Sequence, residues 1–441
     1  MTAALDHQEV ELLGIGAGPA NLAFAAAVEE LAPADLAGNT LLIEQHDNVA
    51  WQRGMLLPWT QSQVSFLKDL VTLRNPRSRF SFVNYLHTVG RLNDFVNMAS
   101  FLPFRLEISD YLQWVAESLS TVRIEYGRRC QRIEGLRAAD GTLAGWLVHM
   151  ADGSTIAANN VVVGTGREAR IPPEFKELPR ERVIHSTEYS LRIAGLDPDA
   201  PHRIVVVGAA QSAAEMLWAT HQAMPHSQCA MIIRSVGLEY YQTSKFTNEL
   251  YFPSFTDEFY TAPADARRQI LHDMRQTNYA GVTPGMLDTL YRQMYLERLT
   301  GTKRLRMITM VDITEARMDG DEVVLTLSNR MGREIEQLRC DLVLLGTGFE
   351  PAAPPFIRQL ADVAGVAEIA VSRAYRMLTP PNVTAGCYLQ GTNEDSHGIA
   401  DSLMSVLAIR AGEIVEDVLA HRAQPTLLSS VPTPASVAAS A

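Results

Sequence analysis

The chain has 441 residues, with 38 lysines and arginines against 50 aspartates and glutamates, so its formal net charge is −12. At roughly 100–200 residues per domain, this length predicts about two to four domains. A pI of about 5.4 leaves no excess of cations for nucleic-acid phosphates, and an acidic surface mildly favours a cationic small molecule. The four cysteines are far apart, which excludes a disulfide scaffold and dithiol redox chemistry and argues against a structural zinc site.

The first unit along the chain is a strand that turns into a helix over residues 10–31, with the sequence VELLGIGAGPANLAFAAAVEEL. Glycines in such a turn let the backbone approach a pyrophosphate at the helix N-terminus. The next strand, TLLI, ends at Glu44, which is placed to accept hydrogen bonds from ribose hydroxyls. We therefore predict an FAD site here. The candidate FAD-binding residues of this turn are Gly14, Gly16, Gly18, Pro19 and Asn21, the last standing in place of the third glycine.

A second unit with the same order of elements begins at residue 203, with the sequence RIVVVGAAQSAAE. It contains Gly208, Gln211 and Ser212, and the strand after it ends at Arg234. A guanidinium at this point favours a 2′-phosphate, so this unit predicts an NADPH site. A plain packing turn and an exposed arginine at a strand end remain the alternatives. The two units together predict an α/β fold with two Rossmann-like dinucleotide-binding domains.

Two hydrophobic strands end in Gly-Thr-Gly, at residues 164–166 and 346–348, and we expect the chain to cross between domains there. The first part of residues 236–299 shows no clean hydrophobic period. Two amphipathic helices are predicted after it, at 264–275 and 284–298. The predicted organisation is an FAD-binding domain (9–200 and 343–425), an NADPH-binding domain (201–235 and 300–342), a mostly helical substrate-binding region (236–299) and a disordered tail (426–441).

Between the two units lies an irregular segment with the sequence WQRGMLLPWTQSQVSFLKDLV, which contains Lys68 within an apolar run. A lysine in apolar surroundings needs an anionic partner, and an ordinary internal ion pair would also supply one. The N-terminal segment does not resemble a signal peptide, and the apolar stretches are too short to span a bilayer. We therefore expect a cytoplasmic protein with no membrane partner.

Several long motifs resemble the flavin-dependent N-hydroxylating monooxygenases, which are the L-ornithine and L-lysine N-monooxygenases of siderophore biosynthesis. They are FLKDLVTLRNPRSRFSFVNYLH (66–87), FTNELYFPSFTD (246–257), TNY (277–279), GTGFE (346–350) and SHGIADSLMS (396–405). The resemblance runs from about residue 9 to about residue 420. It implies FAD and NADPH as cofactors, O₂ as co-substrate, and oxygen transfer to a side-chain amine through a 4a-hydroperoxyflavin. It also suggests a homotetramer.

The resemblance also assigns roles to individual positions. Those implied to bind the amino-acid head group of the substrate are Lys68, Asn248 and Asn278, with Ser405 close by. Three residues are implied to lie near the flavin. Gln63 would lie beside both the flavin ring and the nicotinamide and is the candidate catalytic residue. Trp51 belongs to the flavin loop, and His397 would pack near the flavin. Those implied to contact NADPH are Arg105, Ser212 and Arg234.

Two departures from the family pattern concern cofactor binding. Gln52 stands where the family usually has histidine, and Ala209 and Ala210 replace two glycines of the second turn. The TNY triplet favours L-ornithine over L-lysine or another diamine. The alternative of a non-catalytic FAD-binding protein with a degraded NADPH site stays open. A disulfide reductase would need a redox-active cysteine pair, which this sequence lacks. A sulfur- or carbon-oxygenating flavin monooxygenase would not need the three head-group residues.

Overall fold

The structure is a computed structural model that describes residues 7–240, 244–279, 281–332 and 336–422, without the side chains of 276–279. The predicted tail, 426–441, lies outside these ranges. The strands of the described chain are β1 His7–Ile15, β2 Thr40–Ile43, β3 Arg123–Glu125, β4 Cys130–Arg137, β5 Leu143–Met150, β6 Thr155–Val163, β7 Val183–His185, β8 Arg203–Val207, β9 Gln228–Ile232, β10 Glu239–Tyr240, β11 Gly281–Val282, β12 Leu305–Ile308, β13 Val311–Asp319, β14 Glu322–Asn329, β15 Glu336–Cys340, β16 Leu342–Leu345 and β17 Gly386–Leu389.

The helices alternate with these strands over much of the chain. They are α1 Pro19–Leu31, α2 Ala34–Gly38, α3 Phe82–Thr88, α4 Leu92–Met98, α5 Arg105–Ser118, α6 Tyr189–Ile193, α7 Gln211–Ala223, α8 Lys245–Asn248, α9 Pro253–Thr261, α10 Ala264–Tyr279, α11 Pro284–Thr300, α12 Pro355–Val363, α13 Glu394–His397 and α14 Leu407–His421. Short 3₁₀ turns lie at Arg53–Met55, Pro173–Phe175, Arg180–Arg182, Glu249–Tyr251 and Met404–Val406. Among the described helices, none combines the length and the apolar character that a membrane crossing requires.

The first sheet has the order β3-β2-β1-β6, and the other edge of β6 pairs with β5 and then with β17. Its pairings are parallel except those of β5 with β4 and with β6, so β5 alone among these strands runs in the opposite direction. Alternate residues face opposite cores, with Leu42 and Val162 toward helices α1, α5 and α14, and Leu41 and Val161 toward α12. Burial on both faces explains why its central strands are continuous apolar runs.

The second sheet is fully parallel, with the order β12-β9-β8-β16-β7. Helices α7 and α11 pack on the face that carries Ile204 and Leu344. The antiparallel sheet β13-β14-β15 packs on the opposite face, against Val205 and Val343. The two sheets confirm the predicted α/β class with two Rossmann-like units.

The chain crosses between the sheets at the two Gly-Thr-Gly segments, as the sequence predicts. It passes from β6 to β7 through residues 164–182 and returns after β16, and the two crossings pair through Ala169 and Phe349. His185 donates from Nε2 to the Gly348 carbonyl oxygen, 3.0 Å away, so it is a structural residue. Strands β7 and β16 both belong to the second sheet. The predicted FAD-binding ranges, 9–200 and 343–425, thus include β7 and most of β16, which pair in the second sheet.

The described residues between β10 and β12 are mostly helical, from α8 to α11. The two amphipathic helices predicted at 264–275 and 284–298 are present as α10 and α11, each slightly longer than predicted. Helix α9 was not predicted, because its aromatic residues show no clean period. It buries Phe259 against the α13 turn, where a side chain at Gly398 would lie 3.3 Å from the Phe259 ring.

A buried aromatic cluster around His397 connects the α13 turn to its surroundings. The ring centroids of His397 and Tyr375 are 4.1 Å apart, and Tyr260 lies on another side at 5.2 Å. His397 Nε2 donates to the Arg373 carbonyl oxygen at 3.2 Å, and Nδ1 lies 2.9 Å from Ser396 Oγ. Both ring nitrogens of His397 thus have hydrogen-bond partners within the protein.

The burial of His397 makes the stability of the protein depend on pH. Burial lowers the pKa of its imidazole to about 4. The unfolded ring binds a proton below about pH 6.5, so the contribution of His397 to stability is complete above that pH and is lost as the pH falls toward about 4. Between about pH 7 and pH 5 we expect the wild type to lose about 2 kcal/mol more free energy of unfolding than His397→Asn. Urea denaturation at both pH values measures this, and equal losses would contradict it.

Candidate active site

The first glycine turn joins β1 to the N-terminus of α1. Gly16 has a φ of +88°, and a Cβ there would lie 2.8 Å from the Gly164 carbonyl oxygen. Gly18 caps α1, and Pro19 is its first residue, so the N–H groups of the first turn have no capping side chain. Gly14 serves packing, because a Cβ there would lie 2.9 Å from Leu42 Cγ. The turn is therefore a close backbone cradle with an open helix N-terminus, which suits a pyrophosphate.

Asn21 makes its hydrogen bonds within the protein. Its side chain is fully buried, with Nδ2 2.7 Å from the Gly16 carbonyl oxygen and 3.2 Å from that of Val162. Its Oδ1 accepts a hydrogen bond from Gln390 Nε2 at 2.8 Å. The asparagine therefore links the turn to the neighbouring strand ends through hydrogen bonds. A third glycine would leave these carbonyl groups without that donor.

Glu44 directly follows β2, at the same edge of the sheet as the glycine turn. One carboxylate oxygen accepts from the Ala17 backbone N–H and the other from that of His46, both at 3.0 Å. These bonds fix the carboxylate beside the turn and leave lone pairs on both oxygens. The arrangement fits acceptance of hydrogen bonds from ribose hydroxyls.

The second glycine turn repeats the geometry of the first. Gly208 has a φ of +141°, and a Cβ there would lie 2.4 Å from the Gly346 carbonyl oxygen. Ala210 caps α7 in an extended conformation, and Ala209 has no positive φ, so the two alanines carry no backbone strain. Ser212 is half-buried in the first turn of α7. The turn keeps the one glycine that its backbone requires.

Two residues predicted to bind NADPH are engaged with the protein itself. Arg105 is 6% exposed and donates from Nη1 and Nη2 to the two carboxylate oxygens of Glu215, at 2.7 and 2.8 Å. Gln211 donates to Glu215 at 2.9 Å and accepts from the Thr283 backbone N–H at 2.8 Å. The sequence analysis did not identify Glu215, although a glutamate inside an apolar helix is a signal for a buried partner.

Arg234 lies just beyond the carboxyl end of β9, the strand next to β8 and its glycine turn. Its side chain is exposed, in contrast to that of Arg105. An exposed guanidinium at this edge is suited to a 2′-phosphate.

The flavin loop, residues 51–60, lies between the two sheets. Trp51 packs against the core of the first sheet, whereas Met55 is buried in the core of the second. Gln52 occupies the left-handed region with a φ of 51° and is exposed. Gln63, just after this loop, has a buried Nε2 with no hydrogen-bond partner in the described chain. A buried N–H donor of this kind fits an acceptor on a bound cofactor.

Lys68 is half-buried in the irregular segment that follows. Its Nζ lies 4.1 Å from the centroid of the Phe252 ring, and burial lowers the pKa of the ammonium. Within the described ranges no carboxylate forms an ion pair with it, so the alternative of an ordinary internal pair has no support there. The neighbouring Asp69 instead accepts the backbone N–H groups of Val71 and Phe82. Lys68 therefore lines a small cavity and has no carboxylate partner among the described residues.

The other predicted substrate-binding residues come from two further parts of the chain. Asn248 is half-buried at the end of α8, one turn before the Phe252 that contacts Lys68. Ser405 is buried in a 3₁₀ turn whose first residue, Met404, lines the same small cavity as Lys68. The structure thus brings these segments together. Asn278 lies in α10, and its side chain is outside the described part of the structure.

Phe252 is a site residue that the sequence analysis missed. A cation over an aromatic face is attracted by the ring quadrupole. The signal available in the sequence was only an aromatic residue next to a head-group motif. Contact with Lys68, 184 residues earlier by the numbering, could be found only in three dimensions.

Comparison with known proteins identifies relatives along most of the chain. Residues 8–351 match the family described as L-lysine 6-monooxygenase/L-ornithine 5-monooxygenase. An L-ornithine N(5)-oxygenase from Arthrobotrys oligospora is 37% identical, over 92% of this chain and 88% of that protein. The structure of an ornithine hydroxylase from Pseudomonas aeruginosa has a TM-score of 0.87 at 34% identity, covering 94% of this chain and 99% of that one.

A second solved structure, an ornithine N-hydroxylase from Kutzneria sp. 744, is described with reduced FAD, NADP⁺ and L-ornithine. It has a TM-score of 0.86 at 32% identity and covers 93% of this chain and 99% of that one. The family match covers far more than half of the chain, and the two glycine turns and the unpaired lysine agree with it. The chain belongs to the L-lysine 6-monooxygenase/L-ornithine 5-monooxygenase family and is a flavin-dependent N-monooxygenase.

Proposed function

We propose that this enzyme hydroxylates the side-chain amine of L-ornithine, using NADPH and O₂, to give N5-hydroxyornithine for a siderophore or related natural product. The observation that carries the proposal is Lys68, a half-buried ammonium with no carboxylate partner in the described chain. Such a group is costly unless an anion pairs with it, and an amino-acid carboxylate is an anion of suitable size.

FAD fits the first glycine turn. Gly16 provides the close backbone approach, the N-terminus of α1 faces the pyrophosphate, and Glu44 accepts from the ribose. The buried N–H of Gln63 supplies a hydrogen bond to the flavin ring. When bound and reduced, the flavin supplies the activation of O₂, while the protein orients it and excludes water.

NADPH fits the second turn. Gly208 provides the close approach, Ser212 lies in the first helical turn, and Arg234 pairs with the 2′-phosphate. Arg105 and Gln211 act on this site indirectly, because their side chains are bound to Glu215. The alternative of a degraded NADPH site loses its motive, since Ala209 and Ala210 adopt backbone conformations open to any residue.

The substrate lies between the flavin loop and the helical region. Lys68 donates charge-assisted hydrogen bonds to the α-carboxylate, and the amide of Asn248 and the hydroxyl of Ser405 add polar groups. The role of Asn278 stays a prediction from the family resemblance. The side-chain amine then extends toward the flavin. L-Ornithine is the proposed substrate, although one methylene changes binding by only about 1–3 kcal/mol, so L-lysine is the closest competitor.

A product assay tests the function directly. Purified enzyme with FAD, NADPH and O₂ is offered L-ornithine, L-lysine and putrescine side by side, and hydroxylamine is quantified. We expect hydroxylamine chiefly from L-ornithine, with putrescine poor because it has no carboxylate for Lys68. A higher kcat/KM for L-lysine would reassign the substrate, and equal turnover of putrescine would remove the role of Lys68.

Replacing Lys68 by methionine should separate substrate binding from NADPH oxidation. Loss of a charge-assisted bond in a half-buried site is worth about 1.5–3 kcal/mol, so we expect the KM for L-ornithine to rise about 10- to 100-fold. NADPH oxidation should continue and release hydrogen peroxide. The exposed Lys176 offers a matched control, since Lys176→Met removes the same charge without touching the site. A Lys68→Met variant that stays coupled would refute the proposed role.

Arg234→Ala should reduce the preference for NADPH over NADH by about tenfold or more, because the lost partner of the 2′-phosphate has no equivalent in NADH. The ratio of kcat/KM values for the two coenzymes measures the change. The exposed Arg317 serves as the control for loss of a surface arginine. An unchanged ratio in Arg234→Ala would assign phosphate recognition to another residue.

A further inference from the structure

We infer that Glu215 is a positioning residue that, through Arg105, holds the NADPH-binding end of α7 against the flavin side of the enzyme. The inference rests on the proposed function. In that reaction NADPH is oxidised by giving a hydride, two electrons and one proton, to FAD, which is reduced. The rate of this transfer depends on how the two halves of the protein are oriented.

The pair of Glu215 and Arg105 is deeply buried and is held by two hydrogen bonds. Their side chains are 2% and 7% exposed, and both guanidinium Nη atoms donate to the carboxylate. Burial raises the pKa of the Glu215 carboxyl, while Arg105 and Gln211 offset part of that effect. A fork-to-fork contact of this kind fixes direction as well as distance.

The two partners belong to different cores. Arg105 is the first residue of α5, whose Ile108 and Leu112 are buried in the core of the first sheet. Glu215 is on α7, whose Ala214 lies in the core of the second sheet. The ion pair therefore spans the boundary between the two dinucleotide-binding units.

Neighbouring hydrogen bonds extend the link in both directions. On the flavin side, the backbone N–H of Arg105 donates to the Thr60 carbonyl oxygen at 2.9 Å, at the end of the flavin loop. On the other side, Gln211, at the start of α7, joins Glu215 to the backbone of Thr283 just before α11. Glu215 thus lies one turn from the proposed pyrophosphate site and is connected to the flavin loop.

Apolar contacts between the units, such as the burial of Met55 in the second core, hold the units together but do not fix their relative orientation, because the hydrophobic effect is non-directional. A buried ion pair adds little net stability because both charges lose their hydration. Its directional geometry is the property that an apolar pair of the same size would not reproduce. This distinguishes a positioning role from a purely stabilising one.

The test compares Glu215→Gln, Arg105→Met and the double variant as FAD-loaded proteins. We expect each single variant to lower the rate of anaerobic flavin reduction at saturating NADPH by roughly tenfold or more. The double variant should be no slower than the singles, because the two residues act as a unit. The Kd for NADP⁺, measured by calorimetry, should stay within about threefold of the wild type, since the phosphate contacts lie within the second unit.

Glu11→Gln is the matched control, because it breaks another two-pronged arginine–carboxylate pair, with Arg422, inside the first unit. It should lower the melting temperature without slowing reduction. Glu215→Asp keeps the charge with a shorter reach and should retain an intermediate rate. If Glu215→Gln does not bind FAD, the rate of flavin reduction in Glu215→Asp is the measurement that tests the inference.

Three results would overturn the inference. They are wild-type reduction rates in Glu215→Gln, equal slowing in Glu11→Gln, or a tenfold weaker Kd for NADP⁺ in Arg105→Met alone, which would make Arg105 a direct ligand. A wild-type protein that NADPH does not reduce would instead overturn the proposed function itself.

Discussion

At two glycines the backbone passes so close to a carbonyl group of another segment that no side chain would fit, and these two contacts constrain how the two sheets are connected. Gly16 meets the carbonyl group of Gly164, and Gly208 meets that of Gly346. In each case the glycine turn of one strand lies against the segment that leaves the neighbouring parallel strand for the other sheet. The same contacts lie beside the N-termini of α1 and α7 and at the points where the chain crosses between the sheets.

Buried charges are arranged in two ways around this framework. Where the charge is structural it has a close partner, as in the pair of Asp401 and Arg410, which are almost completely inaccessible, and in that of Arg105 and Glu215. Lys68 differs, since its ammonium lies over the face of Phe252 and has no carboxylate partner among the described residues. An aromatic face moderates the cost of burying an ammonium but cannot neutralise it. The presence or absence of a carboxylate partner among the described residues therefore distinguishes Arg105 and Arg410 from Lys68.

Much of the fold could be predicted from the sequence, because parallel strands buried on both faces and small-residue helices leave strong local patterns. Helices α10 and α11 were predicted for this reason, and so were the two glycine turns. Helix α9 and the assignment of β7 were missed. Their residues carry no distinct period, and their place depends on pairing with strands or side chains far away in the chain.

The amino-acid sequence by itself determined the two dinucleotide-binding units, the change from an acidic to a basic residue at their strand ends, and the family motifs that include Lys68. Tertiary structure alone decided which polar residues remain free for ligands. Asn21, Gln211 and Arg105 lie within motifs that suit a cofactor, yet their side chains are bound within the protein. The physical reason is that a buried polar group must find a partner, and whether that partner is protein or ligand depends on contacts between distant segments.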